Sequence, residues 1–314
     1  MSSAADGVDK RIRLVKTAFV TYFHADLKKA RQFLLDFGLT VAQETLRVRS
    51  QTGESYFDGA AYVVESAHEL ERAAALPSSS SKTQDLAGSA GGKIATLTDP
   101  FDHKIHLIHG WRENQPSMPE SQGLQKLTVN FEDSKPRKGR FQRFAPGPAP
   151  VFRWGHYGVS YPASDPQGYQ KLFDWYTTTL TLSPSDILTR DGRPVTAFFH
   201  IDRGREYTDH HSFYFKAAKP HAAPSVTHAA FETHDFDVQQ LGHQHLAAKG
   251  YRLCWGVGRH TIGSQVFDYW YDPSGFMVEH YADGDVVNCE TGVGEMVAGR
   301  EALAVWGPPL PEAF

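Results

Sequence analysis

TLTDPFDHKIHLI (96–108) and YWYDPSGFMVEHY (269–281) are one pattern written twice in the chain. Each is a strand-like run, an Asp-Pro turn and a second strand-like run, with Asp99–Pro100 matching Asp272–Pro273. Proline presets φ in such a turn, and the aspartate carboxylate can bond backbone N–H groups just beyond it. Repetition at this separation points to paired modules within duplicated halves.

Outward from these hairpins, helix signals recur four times. Asp26 is placed to cap a helix with the apolar face Ala30, Phe33, Leu34 and Phe37, and Gly38 stops it. Ser66 and Glu69 form a capping-box pair ahead of Leu70 and Ala73–Ala74. Asp165–Pro166 opens a third helix, with Tyr169, Leu172, Phe173 and Tyr176 at helical spacing. Asp237 precedes a fourth, carrying Val238, Leu241 and His245 and ending at Lys249–Gly250. The strand-like runs Ala18–Tyr22, Ala61–Val64, Tyr157–Tyr161 and His228–Phe231 come just before these helices. The repeating unit is strand, helix, then several strands, so the expected fold class is α+β with two similar halves. The first half is expected over 14–111 after a tail (1–13), and the second over 151–283. Between them, 112–150 reads as a crossover linker because it carries PSMPESQG and APGPAP. SSSSKTQDLAGSAGG (78–92) reads as a flexible loop. A second tail, 284–314, is expected to pack across the second half.

Composition narrows the function classes. The 314 residues are 40% hydrophobic and 22% charged, which excludes a disordered or fibrous chain. A net charge of −4 argues against a nucleic-acid binder. The one dense basic run, Lys135, Arg137, Lys138, Arg140 and Arg143, sits among prolines and reads as a solvated connector. Two cysteines, Cys254 and Cys289, make no disulfide framework, so a reducing, cytoplasmic setting is expected. The start lacks an apolar signal-peptide region and no stretch approaches 18 apolar residues, so no membrane partner is expected. Histidine is the anomaly, with sixteen copies, several beside aromatic or β-branched residues.

Three of the strand-like runs of the second half carry a ligand set. His156 lies in WGHYGVSYP, His228 opens HAAFE, and Glu279 follows the second Asp-Pro turn. Two histidines and one carboxylate from three strands suit a facial triad, which leaves adjacent positions open on Fe(II). Taken singly, each has an ordinary reading as a structural histidine or a surface charge. The repeat supplies the comparison. Matching SYPASD with TYFHAD puts Thr17 where the second half has His156, and matching the Asp-Pro turns puts His106 where it has Glu279. The counterpart of His228 falls near Ala60. The first half is therefore expected to hold no metal.

At these residues the chain resembles the type I extradiol ring-cleavage dioxygenases of the vicinal oxygen chelate superfamily, over roughly residues 14–283. The metal ligands of that family match His156 in GHYGVSY, His228 in VTHAAFE and Glu279 in DPSGFMVEH. Its acid/base histidine matches His211 in TDHHSFYF, and its further histidine and tyrosine match His260 in Gly-Arg-His-Thr and Tyr269. The resemblance implies paired βαβββ modules in each half, forming a curved, partly open mixed β-barrel, with catalysis in the second half. It also implies Fe(II), a catecholic substrate, O₂ and a homo-oligomer. His211 would act as acid and base, while His260 and Tyr269 would hydrogen-bond the bound oxygens. His200 and His210 read as supporting or structural. One departure stands out, because Ile262–Gly263 replaces two residues that are polar in the family. Phe198, Phe199, Phe213 and Tyr214 suggest an apolar pocket for a ring. The same superfamily holds metal-dependent isomerases, lyases and thiol transferases, which do not need the His211–His260–Tyr269 set. It also holds binding proteins of the bleomycin-resistance type, usually about half this length and without the triad.

Overall fold

The structure, a computed structural model, describes residues 9–41, 53–80, 82–86, 90–112 and 127–312. Strand β1 (Leu14–Phe23) leads into helix α1 (Leu27–Phe37). The Asp26 side chain accepts a hydrogen bond from the Lys29 N–H, and Gly38 ends the helix at φ 109°. Glycine is required there, since a Cβ at position 38 would lie 1.7 Å from the Ala149 carbonyl oxygen. Strand β2 (Tyr56–Val64) and helix α2 (Ala67–Ala74) follow, then β3 (Gln84–Asp85), β4 (Lys93–Thr98) and β5 (Lys104–His109). Ser66 Oγ caps α2 by accepting from the Glu69 N–H at 3.2 Å. The reciprocal capping-box bond is not made, because the Glu69 carboxylate accepts from the Arg13 N–H and from Arg72 instead. These strands form one sheet in the order β1-β2-β5-β4-β3. Part of the stretch expected to be loop is thus strand β3, which pairs with the edge of β4 through Gln84 and Asp85. Residues 81 and 87–89 of that stretch, and PSMPESQG of the linker, lie outside the described residues.

The second half begins with β6 (Val151–Tyr161), α3 (Gly168–Thr179), β7 (Leu182–Arg190), β8 (Arg193–Ile201), the short β9 (Thr208–Asp209) and β10 (Phe213–Ala217). A second unit follows in β11 (Val226–Thr233), α4 (Phe236–Ala248), β12 (Arg252–Arg259), β13 (Val266–Tyr271) and β14 (Met277–Ala282). The chain closes with β15 (Val286–Val287), β16 (Gly294–Val297) and α5 (Arg300–Leu303). The large sheet runs β12-β13-β14-β11-β6-β10-β8-β7-β16. Two βαβββ units therefore meet side by side along the antiparallel β6–β11 pair, and the sheet stays open, with β12 and β16 as its edges. The helix starts are displaced slightly from expectation. Asp235, not Asp237, caps α4 by accepting from the Val238 N–H, and α3 starts at Gly168, beyond Asp165, without a side-chain cap.

The two Asp-Pro hairpins are built alike. Asp99 Oδ1 accepts from the N–H groups of Phe101 and His103 at 2.8 and 3.0 Å. Asp272 Oδ1 accepts from those of Ser274 and Phe276 at 2.8 and 2.9 Å. In the first half the β2-α2-β3-β4-β5 unit is a full module; of the unit before it, β1 and α1 are described, and residues 42–52, between α1 and β2, lie outside the described residues.

The core is continuous across both halves. Phe33, Phe37, Tyr62, Leu97 and Leu107 belong to one buried cluster with Trp154, Tyr157, Phe213, Phe231 and Trp270. Polar contacts cross the same boundary, with Thr17 Oγ1 donating to the Trp154 carbonyl at 3.0 Å and the Tyr62 hydroxyl to the Ser212 carbonyl at 3.1 Å. His280 donates from Nε2 to the Phe37 carbonyl at 2.6 Å, and the two rings stack 3.6 Å apart. Residues 127–150 contain no helix or strand. Past β14, the chain straps over the second half. Strand β16 adds to β7, and Trp255 Nε1 donates to the Pro308 carbonyl at 3.1 Å.

Candidate metal centre

Strand register explains why three residues distant in sequence meet. Ala230 on β11 pairs with His156 on β6 and, on its other side, with Glu279 on β14. Residues directly opposite on neighbouring strands share a face, and His228, two residues before Ala230, shares it as well. All three functional side chains thus rise from one face, and only the Ala230 methyl group stands between them. Gly158 clears a second path. A Cβ there would meet the Tyr214 ring at 2.0 Å, and that ring crosses β6 to reach His228 Nδ1 at 3.0 Å.

Glu279 Oε2 lies 3.2 Å from His156 Nε2 and 3.2 Å from His228 Nε2, and the two nitrogens are 3.3 Å apart. Facial ligands at right angles and about 2.1 Å from a common ion lie about 3.0 Å apart, so this triangle fits one divalent cation. The donor set fits as well. Glu279 is fully buried, and neither of its carboxylate oxygens receives a hydrogen bond of normal geometry. A buried carboxylate without hydrogen bonds is costly unless a cation is its partner. Among the described residues this is the single cluster of three such ligands.

The electrostatics run the same way. Burial alone would raise the Glu279 pKa, but the imidazoles of His156 and His228 outweigh it and hold the carboxyl well below its usual range. Burial pushes His228 down to about 4, against the pull of Glu279. Both groups therefore carry the protonation state a metal ligand needs at neutral pH, anionic for Glu279 and neutral for His228. The Tyr214 hydroxyl lies 3.0 Å from His228 Nδ1, and by accepting from Nδ1–H it would leave Nε2 free for a metal.

The other sequence-derived residues surround this triangle. The His211 ring packs 4.1 Å from that of His156, centre to centre. Burial, reinforced by His156 and His210, pushes its pKa well below the ordinary value, so the ring is neutral. His260 donates from Nδ1 to the Leu303 carbonyl at 2.6 Å, because a carbonyl can only accept. Its Nε2 lies 2.9 Å from the Tyr269 hydroxyl and 3.7 Å from Glu279 Oε1. Burial and the neighbouring Glu279 raise the Tyr269 pKa far above that of a free phenol, which keeps the hydroxyl protonated. Leu303 belongs to α5, so the C-terminal strap holds part of the site.

Three expectations need correction. The apolar pocket is half what the sequence suggested. Phe199 and Phe213 are fully buried against Phe173 and Tyr176 of α3, while Phe198 and Tyr214 stand on the face of the triangle. Consecutive strand residues point to opposite faces, so neighbours cannot both line one pocket. In the first half, Phe19 rather than Thr17 stands opposite Ala61, and Ala61 pairs with His106. A register shift between Thr17 and Phe19 and a shorter turn before α1 defeat the ungapped count. By the same register, the counterpart of His228 is Gly59 rather than Ala60. His106 itself is committed, with Nε2 donating to the Asp58 carbonyl at 2.8 Å and Nδ1 accepting from Thr96 Oγ1 at 2.9 Å. The structure also brings in residues that the sequence left unmarked. Asp186 lies 2.6 Å from His210 Nε2, and nothing in the pattern of β7 distinguishes it from a surface carboxylate.

Comparison with known proteins agrees with this geometry. Residues 144–280 match the family model of the Glyoxalase/Bleomycin resistance protein/Dioxygenase superfamily. Metapyrocatechase 2 of Cupriavidus necator is 34% identical over 147 residues, covering 46% of this chain and 42% of that protein. The chain thus matches less than half the length of that curated relative. The fold resembles that of the Mn(II)-bound glyoxalase from Novosphingobium aromaticivorans, with a TM-score of 0.74 at 18% identity over 96% of this chain and 94% of that one. It resembles homoprotocatechuate 2,3-dioxygenase from Arthrobacter globiformis equally, with a TM-score of 0.73 at 18% identity over 96% and 90%.

Proposed function

We propose that the protein is an Fe(II)-dependent extradiol dioxygenase, proceeding from the match of residues 144–280 to the family model of the Glyoxalase/Bleomycin resistance protein/Dioxygenase superfamily. It would open the ring of a catecholic substrate beside its two hydroxyls and incorporate both atoms of O₂. Metapyrocatechase 2 is 34% identical over 147 residues, and the family match at 144–280 spans His156, His228 and Glu279, which together support this reading. The observation that carries it is the presence of His211, His260 and Tyr269 around the triangle, since a ligand triad alone would equally serve an isomerase or lyase.

Fe(II) at this triangle supplies a redox-active centre with open positions for two reactants. The chain supplies the rest. His156, His228 and Glu279 would hold the metal, with Glu279 contributing the one negative charge. His211, neutral and buried, takes the proton of a catechol hydroxyl and returns it later in the turnover. Tyr269 stays protonated beside Glu279, and His260, held by the Leu303 carbonyl, fixes the position of its hydroxyl, which would contact a substrate oxygen. Phe198 and Tyr214 form the wall against which an aromatic ring lies. The strap of β16 and α5 shields this end of the sheet from water.

The test is anaerobic loading with Fe(II), followed by O₂ consumption with a panel of catechols. One O₂ taken up per catechol, with both atoms in the product, is the expected result. Metal-loaded protein that consumes no O₂ with any catechol overturns the proposal and leaves the isomerase, lyase or thiol transferase chemistry of the superfamily. His211→Ala is expected to keep its metal and lose about 10²–10⁴-fold in kcat, the usual worth of a general acid or base.

A further inference from the structure

The ring-cleavage reading leaves unexplained why two histidines stand side by side at 210 and 211, and why Gly263 replaces a polar residue. His210 Nδ1 lies 3.1 Å from His211 Nδ1, and its other nitrogen lies 2.6 Å from Asp186 Oδ2. Asp186, His210 and His211 thus form a file that runs from the edge of the molecule to the ring packed on His156. The Asp186 side chain is 17% exposed and that of His210 7%.

The fold is shaped around this file. The β7–β8 pairing shifts register between Pro184 and Asp186, which sets Asp186 opposite Phe198, on the face that carries His211. Ser185, at the shift, donates to the His210 carbonyl at 2.6 Å and pins its backbone. Two glycines leave the space the file occupies. A Cβ on Gly263, at φ 71°, would lie 3.0 Å from His210 Nδ1, and one on Gly294 would lie 1.9 Å from Asp186 Oδ1. The preceding Ile262 is buried with Leu188 and Ala302, so it docks the C-terminal strap rather than a substrate. The departure at 262–263 therefore serves the packing of this file and of the strap.

An ionised carboxylate only accepts, so His210 donates from Nε2 to Asp186. With its other nitrogen as the acceptor in the 3.1 Å contact between the two Nδ1 atoms, His211 carries its proton on Nδ1 and its Nε2 is bare. We propose that Asp186 is a positioning residue that, acting through His210, holds His211 in the Nδ1–H tautomer with Nε2 free to take a proton. The use of that free Nε2 rests on the ring-cleavage reading, whereas the tautomer does not.

The experiment reads protons directly. Zinc-loaded protein is diamagnetic, and nitrogen-15 spectra of labelled histidine distinguish protonated from bare ring nitrogens. The expected wild-type result is a proton on Nε2 of His210 and on Nδ1 of His211, which needs no variant. Asp186→Asn is expected to shift the His211 proton toward Nε2. In the Fe(II)-loaded form it should lower kcat about 10- to 100-fold, the usual cost of losing an outer partner of a functional histidine, while KM and metal content stay nearly constant. Either proton on the opposite nitrogen in the wild type overturns the proposal, as does an Asp186→Asn protein whose His211 tautomer is unmoved. If the tautomers are as expected but no catechol is cleaved, the file stands and the functional reading falls.

Discussion

Ala230 is the residue on which the geometry of the candidate metal centre turns, since it separates His156 from Glu279 across β11. The ligands on either side of it were legible from the repeat, because the Asp-Pro turns align Glu279 with His106 and so expose the difference between the halves. Thr17 was misassigned because a register shift in β1 has no signature in the sequence. Asp186 stayed hidden because only the fold brings β7 to the loop before β10. Glu279→Gln keeps the shape of the side chain and removes the one anionic ligand. It is expected to lose both bound divalent metal and turnover, to be read by metal analysis of the purified variant beside its O₂ uptake. His106→Ala is the contrasting case. Both ring nitrogens of His106 are bonded within the protein, and removing them orphans the half-buried partners at Asp58 and Thr96. Metal content and turnover should hold while stability falls by about 1–3 kcal/mol, read from denaturant midpoints. A loss of metal in this variant would mean that the first half carries part of the chemistry.

Among the elements, helices were read well where a side chain caps them and less well where backbone alone does the work. Asp26 and Ser66 mark their helices to the residue. For α4, two aspartates compete and the earlier one takes the cap, which local spacing alone does not decide. Alternation within strands was the more serious omission. It sends Phe199 and Phe213 to the core and leaves Phe198 and Tyr214 for the site. The end of α1 offers a sharp test at this scale. Gly38 has φ 109°, and any Cβ would strike the Ala149 backbone of the segment that leads into β6. Gly38→Ala must therefore displace one chain from the other. A loss of more than about 2 kcal/mol is expected, above the ~1 kcal/mol typical of a left-handed glycine, and urea titration followed by circular dichroism measures it. A loss below 1 kcal/mol would show that the two segments are not held together as tightly as their contact implies.

At the scale of the molecule, duplication was legible in the sequence but the fusion of the two halves into one core was not. The residues that join them, such as Phe37, Tyr62 and Trp154, look like ordinary interior positions of separate modules. The same burial governs the response to acid. Burial lowers the pKa values of His106 and His200, and it pushes His280 down to about 3. Each ring stays neutral in the fold while the unfolded chain takes up its proton near pH 6.5, so stability is full above that pH and falls as the pH drops toward 3. His280 alone should cost about 2 kcal/mol at pH 5. Melting temperatures measured from pH 7.5 to 4.5 should decline below pH 6.5, and a flat profile would refute this account. The bond from His280 to the Phe37 carbonyl has a further consequence, for heredity. Two halves joined by a long irregular crossover look like cassettes that recombination is free to exchange between relatives. Yet the residue beside Glu279 rests on the last turn of α1, so a crossover within 127–150 would pair a ligand strand with a support it did not evolve against. Exchange there is neutral only when both parents agree at that contact, and descent must therefore pass the two halves on as a single character.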